Sequence, residues 1–334
     1  MWATLKTCLR SASALPIVVA LGLGVSGPAK AARVNVDLCA RAGTVEMPGG
    51  TVVNIWGFAP SIVSGTPAGE DDCGPAQLPG PPLGLAPADA ITVGDTVVVT
   101  LFNALTENVS IISPGLDLSA GLFDLPDMLG AAPGETVGFS FVAARPGTFS
   151  YESGVNPSIQ VPMGLYGALV VRPENPGQAY GPDSAFDAEA LLVLSEIDAD
   201  LSADPSTFDL TNYKPDFWLI NGKAYPDTDP IPAGAGERLL LRYVNAGFEH
   251  HTMALLSLHQ SLIARDAYPL QFPFDVVGET IASGQTLDAI ATIPGGALSG
   301  DEFALRSRQL RLTNGPPSNT AHIPGGMLAF IEVP

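Results

Sequence analysis

The chain is poor in the side chains that most often do chemistry. It has four histidines and three cysteines among 334 residues, and 15 lysines and arginines against 34 acids. No Gly-rich phosphate loop precedes a helix, and no Ser-His-Asp arrangement has sequence support. The shortage of cations gives a formal charge of −19. A surface of that sign repels nucleic acid and anionic lipid. Long helical periodicity is absent, and beyond the N-terminal segment no apolar run is long enough to cross a bilayer.

What is present begins with an export signal over residues 1–31. Lys6 and Arg10 precede a short apolar stretch from Leu15 to Val25, and Ala29, Lys30 and Ala31 form a small-x-small cleavage site. Its removal takes away Lys6, Arg10 and Lys30 and no acid, so the charge of the exported chain deepens from −19 to −22. The mature protein is expected outside the cytoplasm, in the periplasm or the medium, without a membrane span. Cys8 leaves with the signal. In an oxidising compartment the remaining Cys39 and Cys73 are expected to form a disulfide closing a loop of about 34 residues, a constraint that contributes ~3–4 kcal/mol. The rival reading, a metal thiolate pair, has no nearby histidine to complete it.

Thirty-six glycines and 31 prolines favour short strands joined by turns. The strands repeat. Residues 94–99 read GDTVVV and lead to LFNA at 101–104; residues 236–241 read GERLLL and lead to YVNA at 243–246. In both copies glycine precedes asparagine by nine positions. The first segment, 91–115, reads as strand, turn and strand. Further on, PGETV at 133–137 running to Pro146 and Gly147 is echoed by SGQTL at 283–287 running to Pro294 and Gly295. GLYGALVV at 164–171 is echoed by GGMLAFIEV at 325–333. Such a repeat predicts an all-β chain of two Greek-key β-sandwiches. Their bounds are 32–172 and 188–334, with a Pro/Gly/Asp-rich linker over 173–187.

These landmarks resemble the multicopper oxidases, whose domains are cupredoxin-like sandwiches. PGTFSY at 146–151, INGK at 220–223, RYVNAG at 242–247, His251-Thr252-Met253 and HIPGGM at 322–327 carry the resemblance, which covers roughly residues 45–334. The resemblance also locates its own failure. Where the family has a first His-x-His, this chain has Ile112 and Pro114; where it has a second, Glu152 and Gly154. After His251 the two further histidines are replaced by Ala254 and Leu256, and no cysteine follows Cys73. A trinuclear copper centre takes about eight imidazoles and a blue-copper centre needs a thiolate. The expectation is therefore an exported binding or assembly module that has lost both centres, with no catalytic residues, no required cofactor, and a protein partner or self-association into a homo-oligomer.

The alternative is a mononuclear copper protein or copper-dependent oxidoreductase. The resemblance places His251 and His322 at the family's mononuclear site and Met327 near its weak axial position. The preferred reading makes both histidines hydrogen-bonded sandwich residues and Met327 core filler. His250 and His259 read as surface or structural side chains. Glu196, Asp198, Asp200 and Asp204 read as a solvated turn capped by aspartate, since the remaining ligands of a calcium loop are missing. Glu152 reads as a solvated loop residue.

Overall fold

The computed structural model describes residues 31–116, 130–309, 311–315 and 323–334. The segment read above as an export signal, save Ala31, and His322 lie outside the described residues. Within residues 31–334 the first group of strands is β1 (Arg33–Met47), β2 (Thr51–Pro60), β3 (Ile91–Thr92), β4 (Thr96–Asn103), β5 (Thr136–Val142), β6 (Gly147–Glu152) and β7 (Tyr166–Arg172). They form one sheet in the order β2-β1-β4-β5 and another in the order β3-β7-β6. Leu38, Val97, Val99, Leu101, Phe139, Phe149 and Leu169 pack between them. The alternation in β4 shows why: Val97, Val99 and Leu101 point inward while Thr96, Val98 and Thr100 are partly exposed.

The second group is β8 (Ala188–Ile197), β9 (Phe217–Ile220), β10 (Ile231–Pro232), β11 (Arg238–Asn245), β12 (His251–Leu255), β13 (Gln260–Arg265), β14 (Tyr268–Val276), β15 (Gly278–Ile281), β16 (Thr286–Thr292), β17 (Glu302–Ser307) and β18 (Leu328–Glu332). One sheet runs β14-β13-β16-β11-β8-β9 and the other β10-β18-β17-β12-β15. Leu239, Leu241, Tyr243, Met253, Leu255, Leu305 and Ile331 share the core between them. No helix among the described residues is long and apolar enough to cross a membrane.

The repeat seen in the sequence is a repeat of hydrogen bonds. Gly94 and Gly236 both hold positive φ, 95° and 80°, at the turn before β4 and β11. At the far ends of those strands, Asn103 and Asn245 are fully buried. The Asn103 amide donates to the Glu107 and Ala131 carbonyls at 2.7 and 2.8 Å, and the Asn245 amide to those of Glu249 and Ile281 at 2.8 and 3.0 Å. Each side-chain oxygen accepts from the backbone N–H two residues on, Leu105 in one copy and Gly247 in the other. Each asparagine thus closes its own turn and ties it to a distant strand.

After that shared turn the copies diverge. The second copy continues into β12. The strand expected in the first copy up to residue 115 does not form; Val109 and Ile112 make only isolated bridges, to Ala131 and Glu152. Ser110 and Ser113 spend their side chains on loop backbone, accepting from Gly154 N–H and donating to the Ser150 carbonyl, and Pro114 has no N–H to give a ladder.

Cys39 and Cys73 form the expected disulfide, with Cα atoms 5.9 Å apart. It fixes the long loop after β2 against β1, where Arg41 also donates to the Cys73 and Gly74 carbonyls.

Replacing Asn245 by leucine should leave the Glu249 and Ile281 carbonyls unpaired in a buried site, at roughly 2–4 kcal/mol. Thermal unfolding should show a fall of roughly 5–12 °C, and Asn103→Leu should behave alike. A change in either variant within ~1 °C would refute this role for the asparagines.

Candidate functional site

Of the four positions that the resemblance matches to ligands in the first sandwich, Ile112, Glu152 and Gly154 come together. Ile112 and Glu152 exchange both backbone hydrogen bonds, at 2.8 and 2.9 Å. Gly154 follows on the same stretch, its N–H donating to the Ser110 hydroxyl at 3.1 Å. A Cβ built on Gly154 would lie 2.7 Å from a methyl carbon of Ile112. No side chain fits there while Ile112 keeps its place. Pro114 lies on the wall of a cleft of about 450 Å³, with Gly115, Phe149, Asp266 and Gln285. Of the four positions, only Glu152 offers a donor atom.

Glu152 is half-buried at the end of β6 and not a solvated loop residue. Burial raises its carboxyl above the ordinary range.

His251 opens β12 and is almost wholly buried, its Nε2 3.3 Å from Oε2 of Glu196. Glu196, on β8, also accepts from the Phe248 and Glu249 backbone N–H groups, the latter at 2.7 Å. A Cβ on Gly247 would stand 1.9 Å from the same carboxylate, so only glycine lets the loop close over it. Glu196 and Asp198 are therefore not the solvated turn the sequence suggested: both are buried. Asp198 does cap a helical turn, accepting from the Asp200 and Leu201 N–H groups. His250 and His259 are exposed.

Further along β12, Ala254 sits opposite Gly278 of β15, whose built Cβ would come within 2.9 Å of the Ala254 Cβ. Leu256 lies past the strand end, exposed. Met327 is buried in the second core with Met253, Leu305 and Ala329. Among the described residues no three histidine, cysteine or acidic side chains converge as a metal-holding group. The Cys39 and Cys73 sulfurs are bonded to each other. The described donor set does not fit a copper cluster.

A second polar centre escaped the sequence reading. Arg242, fully buried in β11, lies directly across from Asp288 of β16. Its Nε donates to Glu189 at 3.0 Å and its Nη1 to the Thr148 hydroxyl at 3.0 Å. The Thr148 hydroxyl donates to Asp288 at 2.7 Å, Tyr180 donates to the other Asp288 oxygen, and Arg172 pairs with Glu189. Burial pushes the Asp288 carboxyl upward, while the Arg242 charge opposes it. Thr148 belongs to β6, so the seam joins the two groups of strands. The sequence did hold a signal: an arginine inside LLLRYV and an aspartate inside TLDAIA, each interrupting a buried run.

Residues 77–176 match the multicopper oxidase family model. Laccase-3 of Oryza sativa subsp. japonica is 28% identical over 233 residues, covering 65% of this chain and 39% of the laccase. Copper resistance protein A of Escherichia coli is 30% identical over 105 residues, 31% of this chain and 16% of that protein. The chain thus spans about two-fifths of the length of the laccase it matches. Among solved structures, the blue copper oxidase of Nitrosomonas europaea superimposes with a TM-score of 0.73 at 22% identity, over 90% of this chain and 86% of the other. The copper nitrite reductase of the same organism gives 0.67 at 22% identity, over 90% and 94%. At these identities the structural likeness establishes the fold, a cupredoxin-like one.

Two variants probe the centre. Glu152 has a carboxyl whose folded-state pKa is raised, so folding favours its neutral form; the stability this gives is present below the unfolded value of about 4.3 and is lost as pH rises through the folded one. Glu152→Gln should then match the wild type in melting temperature near pH 4 and exceed it near pH 7; the reverse order would refute the burial effect. Arg242→Met should leave the buried Asp288 without its cation, while Glu189 keeps Arg172, and cost roughly 3–5 kcal/mol, read as a lower denaturant midpoint. An unchanged midpoint would mean the seam contributes nothing to folding.

Proposed function

We propose that this member of the multicopper oxidase family is an exported binding or assembly module in which neither the trinuclear nor the blue-copper centre is built. The observation that carries the reading is the ligand deficit. Four histidines serve a scaffold whose relatives' centre takes about eight imidazoles. The two cysteines that survive the signal are joined as a disulfide. The positions that would hold ligands in the first sandwich are filled by Ile112, Pro114, Glu152 and Gly154, and packing supports the substitutions, since Gly154 abuts Ile112. In this reading residues 32–172 and 188–334 are the two cupredoxin-like domains, 173–187 joins them, and the chain leaves the cytoplasm through residues 1–31.

A second reading rests on His251, the one buried histidine among those described. With His322 and Met327 it would give a His2Met copper site without a thiolate. The carboxylate of Glu196 argues against it, because it already occupies Nε2. That leaves His251 as a hydrogen-bonded sandwich residue.

Metal analysis separates the two. The purified chain, loaded with Cu(II) and dialysed, should be colourless and keep well under one copper per chain, and should not turn over laccase-type phenols. Retention of a full equivalent that disappears in both His251→Ala and His322→Ala would replace this proposal with the copper-protein reading. Several tightly held coppers with oxidase turnover would overturn both.

A further inference from the structure

On the outer face of the six-stranded sheet, β14, β13 and β16 shape a cleft of about 320 Å³. The strand register builds it. Ser261 of β13 lies between Asp275 of β14 and Ile290 of β16, in one row across the sheet. Continuing the same register by one residue brings His259 level with Thr292. Leu262, Val276, Ala289 and Ala291 face the core, so Ser261, Asp275, Ile290 and Thr292 face outward. Ser257, ahead of β13, holds a positive φ of 68° and completes the rim. Two such rows across three strands span roughly 10 by 7 Å, the footprint of one small ring.

The lining is polar and its hydrogen bonds are unspent. Asp275, His259, Ser257, Ser261 and Thr292 make no side-chain hydrogen bond or ion pair to any described residue. Beneath them Leu258 and Ile290, 6% and 5% exposed, form an apolar floor. The set selects its ligand by exclusion. No lysine or arginine lines the cleft, and Asp275 together with a net charge of −19 repels an anion. One carboxylate and one imidazole fall short of the three protein ligands that hold a metal ion firmly, and no such group of three occurs among the described residues. An apolar molecule would strand five hydrogen-bonding side chains. What remains is a neutral molecule with several hydroxyls and one C–H face. A carboxylate accepts from two adjacent hydroxyls, serine and threonine donate and accept, and a neutral imidazole does one at each nitrogen. Strands hold such groups more precisely than loops do.

We propose that this cleft binds one neutral sugar unit. Adjacent hydroxyls sit on Asp275, further ones on His259 and the serine and threonine side chains, and the C–H face of the ring rests on Leu258 and Ile290. A free monosaccharide and the terminal unit of a glycan offer the same chemistry. The inference rests on the binding half of the reading above and supplies its ligand class; it uses none of the positions matched to copper ligands. A ligand of this size and polarity binds with a Kd of roughly 1–10 mM.

Titration of the isotope-labelled protein with glucose, galactose and mannose, followed by NMR, tests it. At least one of these sugars should give saturable amide shifts confined to residues 257–261, 273–276 and 289–292, with a Kd in that range. Asp275→Ala should raise the Kd at least about tenfold. Ser257→Gly, which suits the positive φ while removing the hydroxyl, should raise it about threefold. Glu174→Gln, at an exposed acid outside the cleft, should bind as the wild type does. Circular dichroism establishes that the variants are folded. Immobilised oligosaccharides ending in the same unit separate the sources: capture on them identifies a glycan terminus, and binding of the free sugar alone identifies a monosaccharide. No saturable shift and no capture overturns the proposal, as do shifts that persist in Asp275→Ala or map elsewhere on the surface. Copper content measured on the same samples keeps the two readings apart. Copper-free chains that bind no sugar defeat only the cleft; chains that bind sugar and retain copper defeat only the metal-free reading.

Discussion

Each sandwich hangs on one buried asparagine. Asn103 and Asn245 both use the amide to satisfy two distant carbonyls and the amide oxygen to accept from the turn that follows. A buried amide has little tolerance for partial pairing, because each unmet group carries its own desolvation cost. The pair therefore fixes where the chain leaves the central strand and at what angle the next segment begins. In the multicopper oxidases that the sequence resembles, that next segment is where the resemblance locates ligands. Here the frame persists in both halves while the contents of the segment differ: an irregular stretch with Ile112 in one, β12 with His251 in the other.

The same economy governs the seam between the halves. Arg242, Glu189, Asp288, Thr148, Tyr180 and Arg172 form a nearly continuous set of hydrogen bonds from β11 across to β6. A fully buried guanidinium is expensive to desolvate, and Nη2 of Arg242 has no partner among the described residues. An apolar seam of similar volume would fold at least as well. What the charged seam supplies is orientation, since a charge pair and its hydrogen bonds tolerate far less sliding than packed aliphatic chains. The seam thereby ties the two sandwiches to each other through side chains of β6 and β11.

The sequence made the architecture legible because repeats and alternation are local. GDTVVV with LFNA and GERLLL with YVNA point to paired strands from spacing alone, and the positive φ at Gly94 and Gly236 is what the spacing encodes. The disulfide was legible from compartment and count. Three features were not. The stretch after Asn103 reads as a strand because Val109, Ile111 and Ile112 are β-branched, but propensity says nothing about a missing ladder partner. Glu196 reads as a solvated acid until Gly247, fifty-one positions later, brings a loop over it. And the exposure of Phe272 in YPLQFPF follows from a register break against Ile263 that no pattern in either segment announces.

Packing, beyond composition, argues that the ligand positions are occupied by something other than a missing metal. A binding site that had merely lost its donors would leave room where they stood. Gly154 has none, because a methyl of Ile112 fills the space of its would-be Cβ. His251 keeps its imidazole but directs it to a carboxylate that two backbone N–H groups already hold in place. Returning histidine to residue 154 would require Ile112 or Ser110 to shift, at a cost of the order that overpacking exacts from a core, about 1–3 kcal/mol. The substitutions thus reinforce one another, each made comfortable by its neighbour. What the described residues present to their surroundings is surface: a strongly acidic exterior with an uncharged aromatic edge at residues 268–274.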